Sequence, residues 1–220
     1  MERTGARTLM RYLYNPPLIM KKIFNDFIWE TSNNKILLTF DDGPNPGTTE
    51  LILNELNNQN LKAAFFCVGN NISLNRQLAK DILTNGHLMA NHTYNHKVIT
   101  KLSESDAKKE IEMFNGIAGD IPGFIPLYFR PPHGRFNLKT GNLIKESKLK
   151  NVMWSLLTYD YKNDPQIVKN AVKKYLRKNS IVVLHDSLKS KSIITDSIKI
   201  IVEEAYIKGF EFGEPEECLK

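Results

Sequence analysis

From Lys35 onward, short apolar runs alternate with segments of helical pattern, and this order restricts the fold of the 220-residue chain more than any other feature. Strands are expected at 36–40, 62–68, 87–90, 127–129, 151–156 and 181–184, with a last one near 210–212. Helices are expected between them. Thr48 opens one that runs to about residue 58, and Ser73 opens the next, which Gly86 ends. Ser103 with Asp106 resembles a capping box for a helix to about residue 117. Segments 138–147, 166–178 and 194–208 complete the set. Strands that alternate with helices build a parallel sheet with the helices outside it. No repeat, low-complexity tract or linker interrupts the chain after residue 35, so one domain is expected over 35–220, behind an extension at 1–34.

In the extension, Pro16-Pro17 precedes Met20, Phe24, Phe27 and Ile28 at helical spacing, with Lys21 and Lys22 on the polar side. Such a helix either packs across the end of the main domain or lies on a membrane surface through residues 17–28. Its short length and modest basic content favour packing. No apolar run approaches the ~18 residues of a transmembrane helix. The first residues carry no apolar core followed by a small-residue cleavage site, so a cytoplasmic chain is expected, with association with the cell envelope left open. The formal charge of +6 is spread over scattered lysines with no arginine stripe, which argues against nucleic acid as a partner. Cys67 and Cys218 form neither a disulfide framework nor a CxxC metal site.

Polar residues gather where the apolar runs stop. The first run ends in Asp41-Asp42-Gly43-Pro44, two adjacent carboxylates that need a metal, an arginine or a shared proton to sit together, although Asp-Gly is also ordinary turn chemistry. The third is followed by His92-Thr93-Tyr94-Asn95-His96, whose two imidazoles join Asp42 in a two-histidine, one-carboxylate set of the kind that holds a catalytic metal with a position left open. The fourth leads into Arg130-Pro131-Pro132-His133-Gly134, a stiff turn; its arginine either orients Asp41 or is simply exposed. After the fifth, Asp160 is suited to holding a histidine in one tautomer, and Tyr159 and Tyr161 offer flat faces to a sugar or else belong to the core. The sixth ends in Leu184-His185, a histidine placed for proton transfer. Convergence from five strand ends is what one face of a closed barrel provides, and no Gly-rich phosphate loop suggests an open doubly wound sheet instead.

Together these motifs resemble the polysaccharide deacetylase family, the NodB-homology or carbohydrate esterase family 4 domain. The resemblance spans about residues 35–213 and includes all five motifs in family order. It implies an α/β fold, a single-domain distorted (β/α)7 barrel, and one divalent metal ion, most often zinc, with cobalt or nickel as alternatives. It further implies Asp41 as general base, Asp42, His92 and His96 as metal ligands, His185 as general acid, Arg130 steadying Asp41 and Asp160 paired with His185. Pro131, Pro132, His133, Tyr161 and Leu184 would contact substrate, with the His133 backbone N–H helping to hold an oxyanion. The third motif has His133 where the family usually has Tyr, and two departures bear on the sugar surface: Tyr161 stands where the family usually has Trp, and Leu157 where many members carry another Asp. The implied activity is removal of N-acetyl groups from an N-acetylhexosamine glycan or glycoconjugate. The rivals are O-acetyl ester hydrolysis on a polysaccharide and a non-catalytic glycan-binding barrel.

Overall fold

The computed structural model describes residues 14–220. Residues 1–13 of the expected extension lie outside the described residues. Seven parallel strands form one curled sheet: β1 (Leu37–Asp41), β2 (Ala63–Cys67), β3 (Leu88–Asn91), β4 (Tyr128–Phe129), β5 (Lys150–Asn151), β6 (Leu156–Leu157) and β7 (Ile181–His185). Their order is β5-β4-β3-β2-β1-β7-β6, so among the described residues the barrel is open between β5 and β6. The helices are α1 (Leu18–Ile23), α2 (Thr49–Asn58), α3 (Gly69–Leu74), α4 (Arg76–Thr84), α5 (Glu104–Gly119), α6 (Leu138–Glu146), α7 (Pro165–Tyr175), α8 (Ile194–Ile207) and α9 (Pro215–Cys218).

The side-chain period of two divides each strand between two cores. Leu38, Phe40, Ala63, Phe65, Cys67, Val182 and Leu184 face outward, under Ile52, Leu56, Val168, Ile194 and Ile198 of the helices. Leu37, Ala64, Phe66, Ala90, Tyr128 and Ile181 face inward and fill the barrel. The same inward rows, continued toward the strand ends, reach Asp41, His92, Arg130 and His185. The alternation that packs the barrel therefore also delivers the polar residues to its C-terminal mouth.

Four expectations are corrected. The single strand expected at 151–156 is two, β5 and β6, at opposite edges of the sheet. Between them residues 152–155 cross the gap. The Val152 and Met153 carbonyls accept from Arg130 rather than from a neighbouring strand, and Ile28 pairs with Val152 from the N-terminal side. The strand expected near 210–212 is one isolated bridge between Phe212 and Ile36. The helix expected from Ser73 to Gly86 is two, broken at Asn75, whose φ of −134° and ψ of 52° are not helical. Ser73 lies inside α3, where its hydroxyl donates back to the Asn70 carbonyl. Finally, α1 is only six residues long and leaves Leu18, Ile19 and Ile23 exposed. What packs is the segment after it. Phe24, Phe27 and Trp29 are buried with Met153 and against Phe136. Ser103 caps α5 as expected, accepting from the Asp106 N–H at 3.1 Å. No helix of the described residues is long and apolar enough to cross a membrane.

Candidate active site

Asp41, Asp42, His92, His96, His133, Tyr161 and His185 line one cleft of about 600 Å³, together with Asn45, Trp154, Leu157 and the 187–189 segment. The cleft lies at the C-terminal ends of β1, β3, β4, β6 and β7.

Asp42 follows β1 with a φ of +78°, a left-handed backbone that non-glycine residues adopt only where the surrounding structure enforces it. Its Oδ1 stands 3.1 Å from His96 Nε2 and 3.7 Å from His92 Nε2. All three ligand atoms fall within 4.8 Å of one another. His92 Nδ1 is 2.7 Å from the Arg130 carbonyl. A carbonyl only accepts, so that nitrogen carries the proton and Nε2 keeps its lone pair toward Asp42 and His96. Burial, the largest influence, lowers the His92 pKa to about 4, so the ring is neutral at neutral pH. Burial alone would raise the Asp42 carboxyl. The His96 hydrogen bond and the His185 charge outweigh it and hold the group well below the usual carboxylate range. One carboxylate and two imidazole lone pairs converging on a single point fit a divalent transition metal with a position left for water or substrate.

The two histidines sit on a loop rather than a helix. Left-handed residues Thr93 and His96 bend it back on itself. Buried Glu110 of α5 anchors it by accepting from the Asn95 backbone and side chain at 2.7 and 2.9 Å, and Asn91 accepts from the Thr93 N–H at 2.8 Å.

Arg130 is fully buried beneath the cleft. Its NH1 group donates to Asp41 Oδ1 at 2.6 Å and Thr39 Oγ1 at 2.9 Å, Nε to Val152 O at 2.9 Å and NH2 to Met153 O at 2.8 Å. The guanidinium also lies 3.9 Å from the Phe66 ring centroid. So fixed an arginine holds the Asp41 carboxylate in one orientation.

His185 donates from Nδ1 to Asp160 Oδ1 at 2.7 Å, and its backbone N–H reaches the other carboxylate oxygen at 2.7 Å. Thr158 adds a third bond to Asp160. Burial would lower the imidazole, but the Asp160 charge and hydrogen bond, with the Asp42 and Asp41 charges, raise it to about 9. His185 is therefore an imidazolium at neutral pH.

The remaining expected residues divide. Tyr161 lines the cleft and meets His185 edge-on at 4.8 Å between ring centroids. His133 is exposed, with a φ of +57°, and its ring is 4.6 Å from that of His96. Pro131 and Pro132 are buried behind it. Leu184 is not at the cleft. It belongs to the outward row of β7 and is completely buried under the helices.

Other residues at the site carry no motif-level signal. Asp186 is buried behind the Asp42 turn. Its carboxylate accepts from Thr49 at 2.6 Å, and Asn45 bonds its backbone carbonyl. A Cβ on Gly43 would fall 2.2 Å from its Oδ2, so the turn closes only over glycine. Trp154 packs across Gly134 in the same way, 2.1 Å from where a Cβ would stand.

With this geometry in hand, comparison with known proteins defines the class. The polysaccharide deacetylase family model matches residues 29–152. The chain belongs to that family. It is 32% identical over 204 residues to a peptidoglycan-N-acetylglucosamine deacetylase of Bacillus cereus, covering 87% of this chain and 92% of that protein. It is 31% identical over 182 residues to the peptidoglycan-N-acetylglucosamine deacetylase PgdA of Listeria monocytogenes, covering 82% of this chain but only 38% of that longer protein. Among solved structures, a peptidoglycan N-acetylglucosamine deacetylase in complex with a naphthalenyl N-oxidanyl-benzamide superposes with a TM-score of 0.84 at 25% identity, covering 92% of this chain and 96% of the other.

Proposed function

We propose that this protein hydrolyses the acetamide of N-acetylhexosamine residues in peptidoglycan, releasing acetate, with one divalent metal ion held by Asp42, His92 and His96. The reading rests on one observation: an arginine-held carboxylate and an aspartate-held imidazolium open into the same cleft as the three-ligand set. When bound, the cation supplies Lewis-acid polarisation of the acetyl carbonyl and lowers the pKa of water at the site.

The protein's own groups handle the protons. Asp41, outside the ligand set and fixed by Arg130, takes the proton of the attacking water. The His133 backbone N–H takes the part of donor to the oxygen on which charge develops. An amide nitrogen leaves only as a neutral amine. His185 donates from Nε2 to that nitrogen, while Asp160 fixes Nδ1 and stabilises the charged ring. Tyr161 and Trp154 give the sugar its apolar wall.

Acetate release from N-acetylated peptidoglycan strands and chito-oligosaccharides, measured with and without added zinc, cobalt or nickel, tests the reading. Metal-dependent acetate release is expected, and its absence on every glycan with every metal would overturn it. An ester leaving group needs less help from an acid. A His185→Ala variant that loses ester and amide hydrolysis equally would therefore argue against the role given to His185.

A further inference from the structure

The floor of the cleft is acidic, but its mouth is not. Lys189 lines the cleft directly, beside exposed Leu188. Lys162 Nζ lies 5.6 Å from the ring centroid of Tyr161, which also lines the cleft. Arg135 follows the cleft-lining Gly134, and its charge reaches the His133 ring. Lys191 Nζ stands against Gly47, two residues beyond the cleft-lining Asn45. These cations come from the segments after three different strands, and all four are exposed. Among the described residues none of them is in an ion pair. Two acids on the same segments are engaged elsewhere: Glu50 accepts from the Gly47 N–H, and Asp164 caps α7 through the Gln166 N–H.

We infer that Arg135, Lys162, Lys189 and Lys191 form a cationic rim that selects glycans carrying carboxylates on the sugars flanking the cleaved acetamide, in preference to neutral N-acetylated chains. The inference rests on the deacetylase reading and adds the substrate's charge to it. The acetamide itself is neutral and enters between Asp41 and His185. Carboxylates on neighbouring residues of the strand would be repelled by the aspartates at the floor and are met at the mouth by four unpaired cations. Charges so arranged raise encounter rate and discriminate among substrates more than they add raw affinity, and they weaken beyond a Debye length of about 8 Å at physiological salt. In peptidoglycan the carboxylates come from the lactyl ether or from the stem peptide.

The test compares the metal-loaded parent with a Lys162→Glu/Lys189→Glu variant. Three glycans of matched length serve: strands with intact stem peptides, the same strands stripped of peptide but retaining lactyl carboxylates, and neutral chito-oligosaccharide. Both changes fall on exposed side chains, and the melting temperature checks the fold. The parent's preference in kcat/KM for the carboxylate-bearing strands should fall by about tenfold in the variant, carried by KM, in line with charge-directed recognition. Added salt should erode the parent's preference in the same way. If only the peptide-bearing strands respond, the stem peptide is the source; if both do, the lactyl group suffices. Calorimetric binding of the same three glycans reads the rim without turnover. Equal binding of charged and neutral strands by the parent, or an equal loss on all three in the variant, overturns the inference. Failure of acetate release with charge-selective binding retained would instead bring down the deacetylase reading alone.

Discussion

Asp41 and His185 are register partners on the adjacent parallel strands β1 and β7. Paired residues of neighbouring parallel strands project to the same face, and strands lie about 4.8 Å apart. A carboxylate and an imidazolium are thus fixed side by side at the mouth of the barrel by the sheet itself. Each is then tuned from a different direction: Arg130 reaches Asp41 from below, and Asp160 reaches His185 from the segment after β6. In the reaction proposed above, this separation suits one group to the part of base and the other to that of acid on one bond.

Asp41→Asn and His185→Ala should each lower kcat on an N-acetylated glycan by about 10²–10⁴-fold, the usual contribution of a positioned proton-transfer group. Neither residue belongs to the ligand set, so zinc content after dialysis should match the parent. The double variant should lose much less than the product of the two single losses, because base and acid serve the same reaction. Loss of zinc from the His185→Ala protein would contradict the separation of roles.

The pKa of His185 provides a second check. Its folded value of about 9 lies above the ordinary ~6.5. The pair therefore contributes stability that is fully present below about pH 6.5 and is lost as pH rises through about 9, on the order of 3 kcal/mol at most. In the metal-free protein, the His185 ring signal followed by NMR should titrate near 9. In Asp160→Asn it should move down by more than one unit, and the stability difference between the two proteins should shrink as pH rises from 6 to 10, as linkage requires. An unchanged His185 midpoint would show that Asp160 does not set its charge.

Metal uptake should be visible in stability as well as in activity. A ligand that binds only the folded state stabilises by about 2.7 kcal/mol at a hundred times its Kd. Zinc added to the chelated parent should raise the melting temperature. Asp42→Ala, His92→Ala and His96→Ala should each abolish most of that rise. Protons compete for the same lone pairs, so the rise should diminish as pH falls. Glu110→Gln, which loosens the anchor of the 92–96 loop, should weaken zinc binding without touching a ligand.

Much of this site was readable because it follows the rule that builds the barrel. Leu37, Thr39 and Asp41 form one inward row, and Ile181, Val183 and His185 another, so an apolar strand that stops at a polar residue announces a mouth. The same rule, applied one residue back, places Leu184 on the outward face under α8. The assignment of Leu184 to substrate came from resemblance and passed over the alternation. The run from Asn151 to Leu156 reads as a single strand because nothing local reveals that Arg130 takes two of its carbonyls and Ile28 pairs beside it. Asp186, Thr49 and the rim lysines were invisible for a related reason. Their meaning depends on which loops the fold brings together, and no spacing within the chain encodes it.

Arg130 carries the sharpest prediction about stability. It is a completely buried cation whose partner Asp41 is itself almost fully buried. Forming such a pair has a desolvation penalty that offsets much of its attraction, but deleting one partner strands the other charge, which typically costs about 3–5 kcal/mol. Arg130→Met should therefore destabilise the protein by about that amount in urea unfolding, a loss that also includes the Val152 and Met153 carbonyl bonds. Adding Asp41→Asn to Arg130→Met removes the stranded carboxylate. The double variant should regain part of the loss, giving a coupling of opposite sign to the single effects. Arg130→Lys tests the fork geometry: one ammonium cannot reach Asp41, Thr39, Val152 and Met153 together, so it should keep the charge yet lose stability and turnover. A lysine variant as stable and as active as the parent would show that only charge is needed at this position.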